Sequence, residues 1–112
     1  MEELSIGAKR KLFTRLICEH VLWLFSVGYE VALDEVTERI TAKDPTSDHM
    51  KGSLHHLGLA ADLNLFRLGV YLDKTSHHKE SGDMWESRHP LCKWGGRFND
   101  GNHYSITHEG RS

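Results

Sequence analysis

Two cysteines in 112 residues, Cys18 and Cys92, are too few and too far apart for a disulfide framework, and they form neither a CxxC nor a zinc-knuckle pattern. Each reads as a plain thiol, the usual state of a small buried sulfur. Charge of one sign is also scarce, because 14 Lys and Arg set against 16 Asp and Glu leave a formal net charge of -2 at pH 7. Without a basic surplus, and with no basic run broken up by base-stacking aromatics, the chain lacks the footprint of a nucleic-acid binder. Long hydrophobic runs are missing too. The best candidate, from Leu16 to Phe25, is interrupted by Glu19 and His20, and a bilayer needs roughly 20 apolar residues. Lys9, Arg10 and Lys11 ahead of it look like the start of a signal peptide, but Arg15 and Glu19 break that pattern and no small-residue cleavage site follows. The expectation is a chain made in the cytoplasm without a signal peptide, with no stable membrane association. Internal repeats and low-complexity tracts are absent as well.

What is present is the balance of one compact domain, with 38% hydrophobic and 27% charged residues, long enough to bury a core without staples. A single domain over 1–112 is expected, with an N-terminal helical region (1–27) leading into the rest (28–107). Phe13, Leu16, Ile17, Val21, Leu24 and Phe25 recur every three or four residues, which predicts an amphipathic helix from about 5 to 27. Gly28 supplies its stop. Tyr29 to Leu33 alternates as a strand with one buried face. Residues 40–52, with Pro45 and Gly52 among small polar residues, read as a loop of a length that is often functional. Residues 59–66 form a second strand, in which Leu59, Ala61, Leu63 and Leu65 alternate with Ala60, Asp62 and Asn64. Turns follow at Gly69 and Asp73, a short helix is expected from His78 to Arg88 and ended by Pro90, and a glycine-rich turn precedes a last strand near 103–107. Strands and helices without strict alternation predict an α+β domain.

The chemistry concentrates in a few polar residues placed in apolar company. Six of the nine histidines (His20, His49, His77, His78, His89 and His108) fall on polar faces or in loops and read as solvated. His55, Asp62 and His103 differ, because a catalytic zinc takes three His or carboxylate ligands and keeps one position open. An extended chain rising about 3.3 Å per residue would hold His55 and Asp62 more than ~20 Å apart. The chain must therefore bend between them, and Gly58 is the residue that permits it. Asp100 stands three residues before His103 across the turn-forming pair Gly101-Asn102. It can serve as a general base near the same site, or it can simply cap the turn. Trp85 and Trp94 read as packing residues, and Gly95 and Gly96 as a tight backbone path.

The string Ser53-x-His55-x-x-Gly58-x-Ala60-x-Asp62, with the later Trp94-Gly95-Gly96 and Asp100-x-x-His103, resembles the zinc D-alanyl-D-alanine carboxypeptidase and L-alanyl-D-glutamate endopeptidase family, in particular its small phage-encoded members. The match covers roughly residues 28–107. The resemblance implies a small antiparallel sheet flanked by helices, a fold shared with the hedgehog signalling domain. It implies that His55, Asp62 and His103 bind one zinc ion, that Asp100 is the catalytic base, and that Ser53 helps shape the site unless it is only a turn serine. His56, off the motif position, would line the site. The family commonly has an arginine after the first strand, where this chain has Glu38 followed by Arg39. Arg39 is the candidate for contact with substrate or transition state, or else a solvated charge. The implied substrate is the stem peptide of bacterial peptidoglycan. The implied role is that of a monomeric endolysin, released to the cell wall by a holin-type partner. The alternative is a non-catalytic zinc-stabilised binding module on the same scaffold.

Overall fold

The computed structural model describes residues 4–34 and 57–112. They form an α+β arrangement of a small antiparallel sheet and two α-helices. Helix α1 spans Ile6–Ser26, with Ser5 as its cap, whose hydroxyl accepts from the Ala8 amide. Its end is a Schellman closure, in which the Tyr29 amide donates to Leu24 O, the Gly28 amide to Phe25 O, and Gly28 takes φ +99°. The predicted stop at Gly28 is therefore where the helix ends. The buried stripe is Lys9, Phe13, Leu16, His20 and Leu24. Its spacing is that of one helix face, yet two of its five members are polar.

Strand β1 (Glu30–Leu33) pairs with β2 (Ala60–Arg67), which pairs with β5 (His103–Ile106), which pairs with β4 (Cys92–Trp94), and every neighbouring pair is antiparallel. A two-residue turn, Leu68-Gly69, joins β2 to β3 (Val70–Tyr71), and both turn residues have positive φ, at 51° and 80°. That is the turn geometry whose twist suits a tight hairpin. A 3-10 turn (Thr75–His78) leads into helix α2 (Lys79–Arg88), and a second 3-10 turn (Gly95–Phe98) follows β4. Pro90 stands just beyond α2, as expected, and β4 is a strand too short for an alternating pattern to reveal.

Leu59, Leu63, Leu65, Tyr104, Ile106 and Cys92 bury one face of the sheet against α1 and α2. Trp85 from α2 sits at the centre, edge-on to Phe13, His20 and Tyr104 at ring separations of 5.9, 5.4 and 6.1 Å. Its indole N–H is shared between the carbonyls of Lys93 and Ser105, each at 3.0 Å, so the one polar atom of this large core residue is satisfied. Two expectations need correction. Strand β1 does not bury a face, since Val31 is half-buried and Leu33 is 66% exposed; among the described residues β1 is an edge of the sheet, and Tyr29 just before it is enclosed. His20 and His78, expected on polar surfaces, are both buried. The loop expected at 40–52 lies outside the described residues. No helix among the described residues is long and apolar enough to cross a membrane.

Candidate metal centre

Two residues singled out from the sequence meet across a strand pair. In the β2–β5 register Asp62 stands opposite His103. The Leu63 amide donates to Asn102 O and the Ile106 amide to Leu59 O. The ladder bonds therefore fall on alternate pairs and leave Asp62 and His103 as a non-hydrogen-bonded pair, the kind in which facing side chains approach most closely. Alternation sends their neighbours Leu63 and Tyr104 into the core and places this pair on the opposite face. Asp62 Oδ1 lies 3.6 Å from His103 Nδ1, with the side chains 14% and 16% exposed. Two ligand atoms at corners of a tetrahedron with bonds of roughly 2.0–2.2 Å are about 3.3–3.6 Å apart. The carboxylate and imidazole thus fit two adjacent zinc ligands in type and in separation. The third expected ligand, His55, lies outside the described residues, as do Ser53, His56 and Arg39. Among the described residues no three His, Cys, Asp or Glu side chains gather as a metal-holding group.

The turn that delivers Asp100 and His103 is clamped from three sides. The His103 amide donates to Asp100 O at 3.1 Å, and the Asp100 amide to Gly95 O at 3.0 Å. Gly95 is buried against this turn, and a Cβ there would overlap the Asp100 carbonyl oxygen and come within 2.9 Å of His103 Cβ. On the second side, a Cβ on Gly101 would lie 2.7 Å from Thr75 Cα. On the third, the Trp94 indole N–H donates to Gly101 O at 2.7 Å, while its ring occupies the space that side chains at Gly82 and Gly96 would need. Asn99, at φ 57°, makes the left-handed step before Asp100, a conformation that asparagine tolerates better than most residues. The glycines and Trp94 of the sequence pattern are therefore packing requirements of this turn. Asp100 itself is exposed. It stands at a cleft of about 190 Å³ lined also by Lys74, Thr75, His78, Asn99 and Asn102.

A second polar system went unread in the sequence. Arg88 Nε donates to His20 Nδ1 at 2.9 Å. A guanidinium can only donate, so the His20 proton resides on Nε2, which is 2.9 Å from Ser81 Oγ. The Tyr104 hydroxyl donates to the same oxygen at 2.8 Å and, its single proton committed, accepts from His78 Nδ1 at 2.7 Å. Burial and then Arg88 hold the His20 pKa down to about 3, burial and then His77 hold that of His78 down to about 4, and burial raises that of Tyr104. Both imidazoles are neutral at pH 7. The Ser81 and His20 pair looks like a nucleophile beside its base, but Ser81 is fully enclosed and the third group is a cation, which disfavours an imidazolium. The one available signal was the position of His20 in the apolar stripe of α1.

At the start of α1, buried Lys9 donates to His108 Nδ1 at 3.1 Å, and His108 Nε2 lies 3.2 Å from Glu109. This fastens the residues after β5 to the first helix. Burial pushes the Cys92 thiol up to about 12, whereas Cys18 is exposed, and neither forms a disulfide. No protein-family model, curated protein or solved structure matches the chain.

Proposed function

We propose that this chain is a zinc peptidase of the carboxypeptidase and endopeptidase family it resembles, acting on the stem peptide of bacterial peptidoglycan and built on the hedgehog-like fold of that family. The observation that carries this reading is the register of β2 on β5, which sets Asp62 against His103, with Asp100 on a clamped turn three residues upstream. Asp62, His103 and His55 would hold the ion. Zinc, when bound there, would supply Lewis-acid activation of water near neutral pH and polarisation of a carbonyl. The chain's own residues do the rest. Asp100, exposed on the cleft, takes the proton of the attacking water and returns it to the departing amine. The Gly95 and Gly101 contacts fix the backbone from which that carboxylate projects, which lowers the reorganisation needed during reaction. Ser53 and Arg39 are the proposed contributors to site shape and to charge stabilisation, and an endolysin released by a holin-type partner is the proposed setting.

The test is mass spectrometry of purified peptidoglycan after incubation with the protein, with a chelated sample and a chelated sample restored with zinc. Expected are fragments that vanish on chelation and return with zinc, their masses identifying the bond as D-Ala-D-Ala or L-Ala-D-Glu. Asp100→Ala should bind zinc and release nothing. Zinc binding by the unaltered chain without fragments would sink the enzyme and favour a zinc-stabilised binding module.

A further inference from the structure

The buried chain of contacts from Arg88 through His20, Ser81 and Tyr104 to His78 plays no part in the chemistry above, yet it ends against the site. Tyr104 follows His103 on β5, and the two side chains point to opposite faces of the sheet. Whatever fixes Tyr104 therefore fixes the backbone from which His103 projects. The Tyr104 ring lies among His20, His78 and Trp85, at 5.5, 6.0 and 6.1 Å, and its hydroxyl is held by both Ser81 and His78. The 3-10 turn Thr75–His78 then meets the catalytic turn at two points. His78 reaches it through Tyr104, and Thr75 packs against Gly101 so closely that no side chain fits between them. His78 also lines the cleft on which Asp100 stands.

We infer that His78 is a positioning residue for His103 and Asp100, acting through the Tyr104 hydroxyl on one side and through the Thr75 contact with Gly101 on the other. The inference deepens the peptidase reading and rests on it for the identity of the site. A contact that merely added stability would alter unfolding and nothing else. A positioning contact alters the geometry of the turn in the folded state.

Three variants separate these outcomes. His78→Leu and Tyr104→Phe break the bond, whereas His78→Asn keeps an amide donor near the place of Nδ1. Two measurements are made on each. The first is backbone amide hydrogen exchange of His103 and Asp100 in metal-free protein, referenced to amides of β1 so that a global loss of stability cancels. The second is kcat and KM on a wall stem peptide with zinc present. Misplacement of reacting groups by about 1 Å costs on the order of a hundredfold. His78→Leu and Tyr104→Phe should therefore lower kcat by roughly tenfold or more at nearly constant KM, and should speed His103 exchange relative to β1 by a similar factor. His78→Asn should stay near the unaltered protein in both. Lowered unfolding temperature with unchanged relative exchange and unchanged kcat would overturn the inference, as would an asparagine no better than leucine. If the unaltered protein cleaves no stem peptide, the peptidase reading fails, and the relative exchange of His103 still decides whether His78 positions that turn.

Discussion

Replacing Gly95 with alanine adds one methyl group at the point where the turn from Asp100 to His103 is most tightly held. The added carbon would overlap the Asp100 carbonyl oxygen, approach His103 Cβ to 2.9 Å and the Asp100 carbonyl carbon to 3.3 Å. Backbone atoms cannot rotate away as a side-chain end could, so the turn itself must move. Gly95 is not among the residues with positive φ, which leaves crowding as the cost. Overpacking typically costs about 1–3 kcal/mol, offset by about 0.4–1 kcal/mol from a less flexible unfolded chain. The net is about 1–2 kcal/mol, or a fall in Tm of roughly 5–10 °C for a domain of this size. Displacement of Asp100 by several tenths of an ångström should lower kcat on stem peptide by at least about tenfold, since a full ångström costs on the order of a hundredfold. Gly7→Ala is the control, because nothing lies within 4 Å of a Cβ there and alanine suits a helix better than glycine by about 1 kcal/mol. Thermal unfolding by circular dichroism and stem-peptide hydrolysis supply the two readings. A Gly95→Ala protein that melts and cleaves like the unaltered chain would refute the claim that this turn is sterically fixed.

Zinc at about a hundred times its dissociation constant should stabilise the folded chain by about 2.7 kcal/mol. Calorimetry should show that increment lost in Asp62→Ala and His103→Ala, and retention of the full increment in either would remove that residue from the ligand set. Acid should weaken the fold through His20 and His78. Their folded-state values of about 3 and about 4 lie below the ordinary 6.5, so the unfolded chain takes up protons first as pH falls. Their contribution is intact above pH 6.5 and declines toward pH 4, at up to about 1.4 kcal/mol per pH unit for each group. Urea midpoints measured from pH 7 to pH 4.5 should follow this slope, which a combined His20→Gln and His78→Asn chain should flatten; an unchanged slope in that variant would contradict it. Native alkylation should modify Cys18 and spare Cys92, whose enclosed thiol ionises only near pH 12. Rapid labelling of both by mass would refute the burial of Cys92.

Elements whose pattern repeats were legible in the sequence. Phe13, Leu16 and Leu24 mark the buried side of α1, Gly28 ends it, and the alternation of Leu63 and Leu65 with Asp62 and Asn64 gives β2 with the correct face. Residue type and the resemblance of their motifs singled out Asp62 and His103, and the alternation gave Asp62 the face on which the register sets it against His103. Shorter elements gave no such signal. Strand β4 has three residues, which is less than a readable period, and the 3-10 turn Thr75–His78 runs into α2 without a break in composition. The buried histidines were misread for a different reason. A polar residue is assigned to the surface unless its partner is known, and the partners of His20 (Arg88 and Ser81) stand more than 60 positions along the chain. Lys9 is a parallel case, since its partner His108 belongs to the far end of the sequence. His55, Ser53 and Arg39, on which the proposed ligand set and the proposed charge-stabilising contact depend, lie outside the described residues.

The pairing of Asp62 with His103 has a kinetic consequence. Strand β2 and strand β5 are not joined by a hairpin, so bringing these two side chains together closes a loop of about forty residues, at an entropic cost that must be met before the ladder bonds form. Neither the N-terminal helix with β1 nor the α2 region with β4 contains both donors. A chain interrupted anywhere between the two strands therefore has no partial version of the pair. Appearance of the pair during refolding reports long-range sheet closure, one of the slower kinds of folding event in a domain of mixed structure. A divalent ion that needs both donors would act as a clock for that step, with its uptake lagging behind helix formation seen in the far ultraviolet.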